Sequence, residues 1–193
     1  SDLLPHTAQI IDKLSLVYSL QTDQFNHAPA QLMLQTGAGR LGRPSIGAWV
    51  SWALGSLSAD LPAFCVLVSG GGAPSAGKSV WGSGFLPTVH QGVQLRGRGD
   101  PVLYLGDPAG VSRKTRRRML DSLRRLNEHR LTHHQDPETR TRIAQFELAY
   151  RMQDVVPRVA DLRSEPQPIR ELYGADPDRG SFANNCLLAR RLI

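Results

Sequence analysis

Asp23 and His27 lie four residues apart with Asn26 beside the histidine, in the run Thr22-Asp23-Gln24-Phe25-Asn26-His27-Ala28-Pro29-Ala30-Gln31. A carboxylate and an imidazole at that spacing can share a divalent metal, or act as an acid and base pair. The same residues stand directly before an apolar stretch, Leu32-Met33-Leu34, and a Thr36-Gly37 stop. Asp and Asn are both good helix N-caps, so capping is an equal reading on the chemistry alone.

Further on, Gly72-Ala73-Pro74-Ser75-Ala76-Gly77-Lys78-Ser79 fits the G-x-x-x-x-G-K-[ST] phosphate loop. That loop must open a helix whose amides face the phosphates. The residues that follow, Val80-Trp81-Gly82-Ser83-Gly84-Phe85-Leu86-Pro87, hold two glycines and a proline, which argue against a long helix there. A glycine-rich surface loop with an exposed Lys78 is the favoured reading. His90, later in the same stretch, is a candidate for lining a pocket. His133 and His134 read as a loop between helices, since no further ligands stand at zinc spacing around them. No G-x-S-x-G nucleophile elbow is present.

The elements that would hold these residues can be read from periodicity. Pro5 to Leu14 reads as a helix, with Leu4, Ala8 and Ile11 in register. Leu16-Val17-Tyr18 reads as a short strand, and the 22–31 loop then follows a strand end, where open α/β sheets bind ligands. Ala30 to Gln35 is a short helix stopped by Gly37. Ser45 caps a helix carrying Ile46, Trp49, Val50, Ala53 and Leu54, ended by Gly55. Its tryptophans, Trp49 and Trp52, read as packing residues. Ala63 to Val68 is continuously apolar, which predicts a strand buried on both faces with Cys65 as a core thiol. Ser69 to Asp100 is a long packed loop, and Val102 to Leu105 a third strand. Helices are predicted over 113–130, 137–154, 168–173 and from Ser181 onward.

The net charge is +6 with a pI near 9.9. Much of the excess lies in the helix from Arg113 to Arg130. Its cations lack the aromatic interleaving of single-strand binders, so a solvated or intra-protein helix face is favoured over nucleic acid. No apolar run reaches the roughly 20 residues of a membrane span. Cys65 and Cys186 form neither a disulfide framework nor a metal knuckle. The first residue is Ser, and the last residues are still in helical pattern. The expectation is one incomplete α/β domain over 1–193, truncated at both ends, with a sheet-containing part over 1–111 and a helical part over 112–193.

The runs T-D-Q-F-N-H-A-P-A-Q, G-R-P-S-I-G-A-W, G-K-S-V-W-G-S-G-F-L-P, Q-G-V-Q-L-R-G-R-G-D-P-V-L-Y, L-Y-G-A-D-P and F-A-N-N-C-L-L-A-R-R-L carry a resemblance that covers essentially the whole chain. They resemble an exported, sulfatase-like family, domain of unknown function 1501. That family looks like a branch of the alkaline phosphatase/sulfatase superfamily. The resemblance implies a mainly parallel sheet flanked by helices, and a divalent metal (zinc, calcium or magnesium) with most of its ligands outside this chain. It implies a twin-arginine export signal upstream and a periplasmic or exported location. Against the superfamily's C-x-P-S-R-x-x-L-L-T-G frame, Thr36-Gly37, Leu34 and Pro29 fall on their counterparts. His27 then takes the nucleophile position and Gln31 the arginine position. His27 would bind metal or accept a phosphoryl group in place of the usual nucleophile. The functional expectation is a piece, inactive alone, of a phosphate- or sulfate-ester hydrolase-like protein acting on a small anionic ester. Asp23 and His27 are its metal or catalytic candidates, and Asn26, Lys78 and His90 its substrate contacts. Missing flanking parts of its own chain would be its partners. The alternative is a non-catalytic extracytoplasmic binding or structural protein of the same fold.

Overall fold

Two three-residue strands organise the molecule. Strand β1 (Cys65–Leu67) pairs in parallel with β2 (Val93–Leu95), with Cys65 opposite Val93 and Leu67 opposite Leu95. The computed structural model describes residues 2–69, 72–97, 99–134 and 136–193, and the side chains of His134 and Pro137 lie outside that description. The helices are α1 (Pro5–Ala8), α2 (His27–Thr36), α3 (Ile46–Leu54), α4 (Arg113–His134), α5 (Pro137–Ala160), α6 (Gln167–Tyr173) and α7 (Phe182–Leu192). The result is a mixed, helix-rich fold, 53% helical, around a small parallel sheet.

Alternation along β1 sends side chains to two cores. Cys65 and Leu67, with Val93 and Leu95 of β2, pack on Met152 and Val156 of α5 and on Leu187 and Leu188 of α7. Phe64, Val66 and Val68 face the other way, onto Leu32 of α2 and onto Val80 and Trp81 of the 3-10 turn Gly77–Trp81. Helical cover on both faces is what a parallel pair requires, and it explains the uninterrupted apolar run through β1. Gly47 in α3 lets the Phe64 ring come close: a Cβ there would lie 2.3 Å from the ring.

Local capping signals place several boundaries. Ser45 Oγ accepts from the Ala48 amide at 3.4 Å to start α3. Asp136 Oδ1 accepts from the Glu138 amide at 3.1 Å to start α5. Gly37, at φ +72°, ends α2 in the left-handed region that favours glycine.

Some expectations change. Leu16-Val17-Tyr18 forms no strand and is exposed, because among the described residues it has no ladder partner. The helix expected over 5–14 breaks into α1 and a 3-10 turn, Ile11–Lys13. Its apolar residues are exposed, and so short a helix is marginal without a packed face. Val102 to Leu105 is a turn. Val102 and Leu105 still reach the core, but Tyr104 adopts φ +58° and breaks the extended path. Within the expected long loop, β2 supplies the second strand; residues 70, 71 and 98 of that loop lie outside the described residues. His133 lies within α4, as no glycine or proline intervenes to stop the helix before Pro137. Helix α5 runs past Asp154 and through Pro157. Trp49 and Trp52 are only partly covered, and pack edge to face with ring centroids 5.7 Å apart.

Candidate functional site

The start of α2 is bonded largely to itself. Asn26 has extended backbone and its Oδ1 accepts from the Ala28 amide at 3.4 Å, so it caps the helix. His27 is the first helical residue and is exposed. Asp23 is exposed too, and its Oδ1 accepts from Gln24 Nε2 at 2.9 Å. One turn into the helix, Gln31 Oε1 accepts from the Ala76 amide at 3.1 Å. That bond ties the loop after β1 to α2. Among the described residues, no three His, Cys, Asp or Glu side chains converge to hold a metal ion. Asp23 and His27 are chemically suited to a divalent ion but fall short of a tetrahedral donor set.

Lys78 sits exposed on the five-residue turn Gly77–Trp81. The α-helix that a phosphate loop requires does not follow it. His90 closes the 3-10 turn Thr88–His90 and is half-buried. Its Nδ1 lies 3.0 Å from Oγ of the buried Ser51 in α3, and burial pushes its pKa below the ordinary value. A serine and an imidazole at that distance have nucleophile and base geometry. No contact to a carboxylate orients His90 among the described residues, and the pair serves to tie α3 to the turn. Asp23 thus lies in the bend before α2, Asn26 and His27 at its start, Lys78 on the loop that α2 contacts through Gln31, and His90 belongs to a separate contact.

Two cations of α4, Arg113 and Arg117, are turned toward α5. Arg117 grips Glu147 in a fork, with Nη1 to Oε2 at 2.8 Å and Nη2 to Oε1 at 2.6 Å, and its Nε donates to Asp121 at 3.1 Å. This holds the Glu147 carboxyl below the usual carboxylate range. Arg113 donates to Asp154 at 2.5 Å and stacks 3.7 Å over the Tyr150 ring. These contacts account for a part of the positive excess within the protein itself.

A cleft of about 360 Å³ opens beyond the carboxyl ends of β1 and β2. Ser69, Gly72 and Gly97 line it from the strand ends, with the exposed Arg96. Ser181 and Asn185 line it from the start of α7. Ser181 caps α7, its Oγ accepting from the Asn184 amide at 3.0 Å. Asn184 is fully buried and fastens the preceding turn: Nδ2 donates to the carbonyls of Asp176 at 2.7 Å and Arg179 at 2.8 Å, and Oδ1 accepts from the Asp176 amide at 2.9 Å. Asn185 Nδ2 donates to Ser69 Oγ at 2.7 Å and joins the two walls. A guanidinium, hydroxyls, glycine-exposed backbone and a helix start are together suited to an oxyanion. The position outside parallel strand ends is where open α/β sheets take ligands. Sequence reasoning missed these residues because β2 was hidden in a glycine- and arginine-rich stretch. The Ser181-x-x-Asn184 spacing was the one available signal.

No curated protein and no solved structure matches the chain. The family model described as "Protein of unknown function (DUF1501)" matches residues 1–193, and the whole chain belongs to that family.

Proposed function

We propose that this chain supplies the anion-binding wall of a sulfatase-like protein that takes a phosphate or sulfate ester. The observation that carries the reading is the cleft at the carboxyl ends of β1 and β2, where Arg96, Ser69, Ser181 and the glycine-lined loops converge. The ester's charged oxygens would meet the Arg96 guanidinium and the Ser69 hydroxyl, with glycines allowing close backbone approach and Ser181, its hydroxyl donating to Asn184 Oδ1 at 3.1 Å, fixing the wall. The parallel pair with helices on both faces is compatible with the alkaline phosphatase/sulfatase architecture that the motifs resemble.

Hydrolysis is the finer part of the proposal. A zinc, calcium or magnesium ion would polarise the ester when bound, and Asp23 and His27 are this chain's candidate ligands for it. His27 is solvent-accessible at the first position of α2, open to metal or to a phosphoryl group. The commitment of Asn26 to capping favours the second reading, a binding protein of the same fold without turnover.

The test is a titration of the amide-labelled chain with inorganic phosphate, sulfate and 4-nitrophenyl esters of both. Saturable shifts at Gly72, Gly97 and Ser181 are expected, and Arg96→Gln should weaken them about tenfold. Shifts absent from all three positions overturn the reading. Release of nitrophenol by the metal-supplemented protein, lost in His27→Ala, separates turnover from binding.

A further inference from the structure

We propose that a second cavity, between the Val102–Leu105 turn and α5, binds an amphiphile with an apolar body and one carboxylate end, in the manner of a medium-chain fatty acid. The cavity holds about 320 Å³, within the size range of small-molecule sites. Its walls are mainly apolar: Val89 and Val93 on one side, Leu148 and Met152 of α5 on another, Val102 and Leu103 across from them. It shares no lining residue with the cleft at the strand ends, so this proposal stands apart from the one above.

Three observations specify the ligand. The first is the state of the polar groups on the wall. Gln145 donates to Thr88 Oγ1 at 3.0 Å, and Gln153 donates to the Leu105 carbonyl at 2.6 Å and to Asp107 at 3.0 Å. Arg116 is different. Its Nε forms a loose ion pair with Asp107 Oδ1 at 3.7 Å, too long for a hydrogen bond, and that oxygen already accepts from Gln153. The guanidinium therefore has donors to offer an incoming carboxylate, whose two oxygens match its fork.

The second is Tyr104. It is a bulky residue in the left-handed region, at φ +58°, with its side chain 96% exposed on the cavity's rim. Such backbone strain is concentrated at ligand clamps and switch segments. The third is the wall composition itself. A bare inorganic anion would leave the apolar walls unused, and a wholly apolar ligand would leave Arg116 unused. An amphiphile satisfies both.

The test uses the intact chain labelled at its methionine methyls. Met152 lines the cavity, while Met33 and Met119 lie outside it and serve as internal controls. Titration with decanoate should move the Met152 methyl saturably and leave the other two in place. Arg116→Gln should weaken that binding about tenfold, and decanol should bind the unaltered protein correspondingly less well. Leu148→Trp, verified as folded by circular dichroism, should abolish it by filling the cavity. A Met152 signal that does not move overturns the proposal. So does equal movement of all three methyls, or equal affinity for decanoate in the protein and in Arg116→Gln. Should Leu148→Trp fail to fold, the Arg116→Gln and decanol comparisons decide the matter alone.

Discussion

The two flanks of the β1–β2 pair are covered differently. On one, Val156, Leu187 and Leu188 of α5 and α7 close over Cys65, Leu67, Val93 and Leu95 and leave little of themselves in solvent. On the other, α2 and the Gly77–Trp81 turn cover Phe64, Val66 and Val68, but α3 beyond them stays open. Ile46, Val50, Trp52 and Leu54 are all exposed, although no charged residue occurs from Ile46 to Asp60's predecessor Ala59. A helix apolar on most of its circumference has the pattern of a buried one. The accessible surface of the chain is 13570 Å², against about 9,000 Å² for a compact monomer of its 21.2 kDa. The difference teaches that the α5–α7 flank is the stability-determining core, while the α3 flank contributes through local bonds such as the Ser45 cap and the Ser51–His90 contact.

The sharpest way to break that comparison is a pair of truncations. Leu187→Ala, at a fully buried site, should cost about 2–5 kcal/mol in urea unfolding. Leu54→Ala, 82% exposed, should stay within about 0.5 kcal/mol. Equal costs would show that the two flanks do not differ in this way. The next effect is smaller. Removing the fork to Arg117 with Glu147→Gln should cost on the order of 1 kcal/mol, reduced by salt. Glu147 has its folded pKa lowered from the ordinary 4.5. Its stabilisation is therefore present above that value and lost as pH falls through the lowered one, and the variant should flatten the acid limb of a stability–pH curve. The smallest effect belongs to His90. Burial lowers its pKa from the ordinary 6.5, so the unfolded chain binds the proton more readily. Stability should be unaffected above 6.5 and should fall as pH drops below it, a slope that His90→Gln should remove from the melting temperature.

Legibility in the sequence followed the range of the interaction. Ser45, Gly55, Asp136 and Gly37 act on neighbours within a turn, and their types alone placed both ends of α3, the end of α2 and the start of α5, whereas α2 begins earlier, at His27, and α5 runs on to Ala160. Asn26 acted as one of its two readings allowed, as a cap. Strands required a partner that composition does not reveal. Among the described residues Leu16-Val17-Tyr18 and Val102 to Leu105 have strand-forming side chains and no ladder, whereas Val93-Gln94-Leu95 is short and flanked by glycine and arginine, yet pairs with β1. The cleft and the cavity were illegible for the same reason. Asn185 meets Ser69 across a long stretch of chain, and Arg116 faces a wall made by three separate segments.

Cys65 carries a consequence of its own. Its Sγ lies 3.5 Å from the Pro62 carbonyl, within a strand that packs on the main core, and burial pushes its pKa up. The thiolate is the reactive form, so in the closed protein this sulfur alkylates slowly at neutral pH. Cys65 is half-buried, so its labelling rate with iodoacetamide reports its residual exposure together with opening of the β1 segment, and the second free thiol, Cys186, also half-buried, has to be replaced before that rate is read. The chain thus carries, without any added probe, a chemical reporter at the first residue of β1.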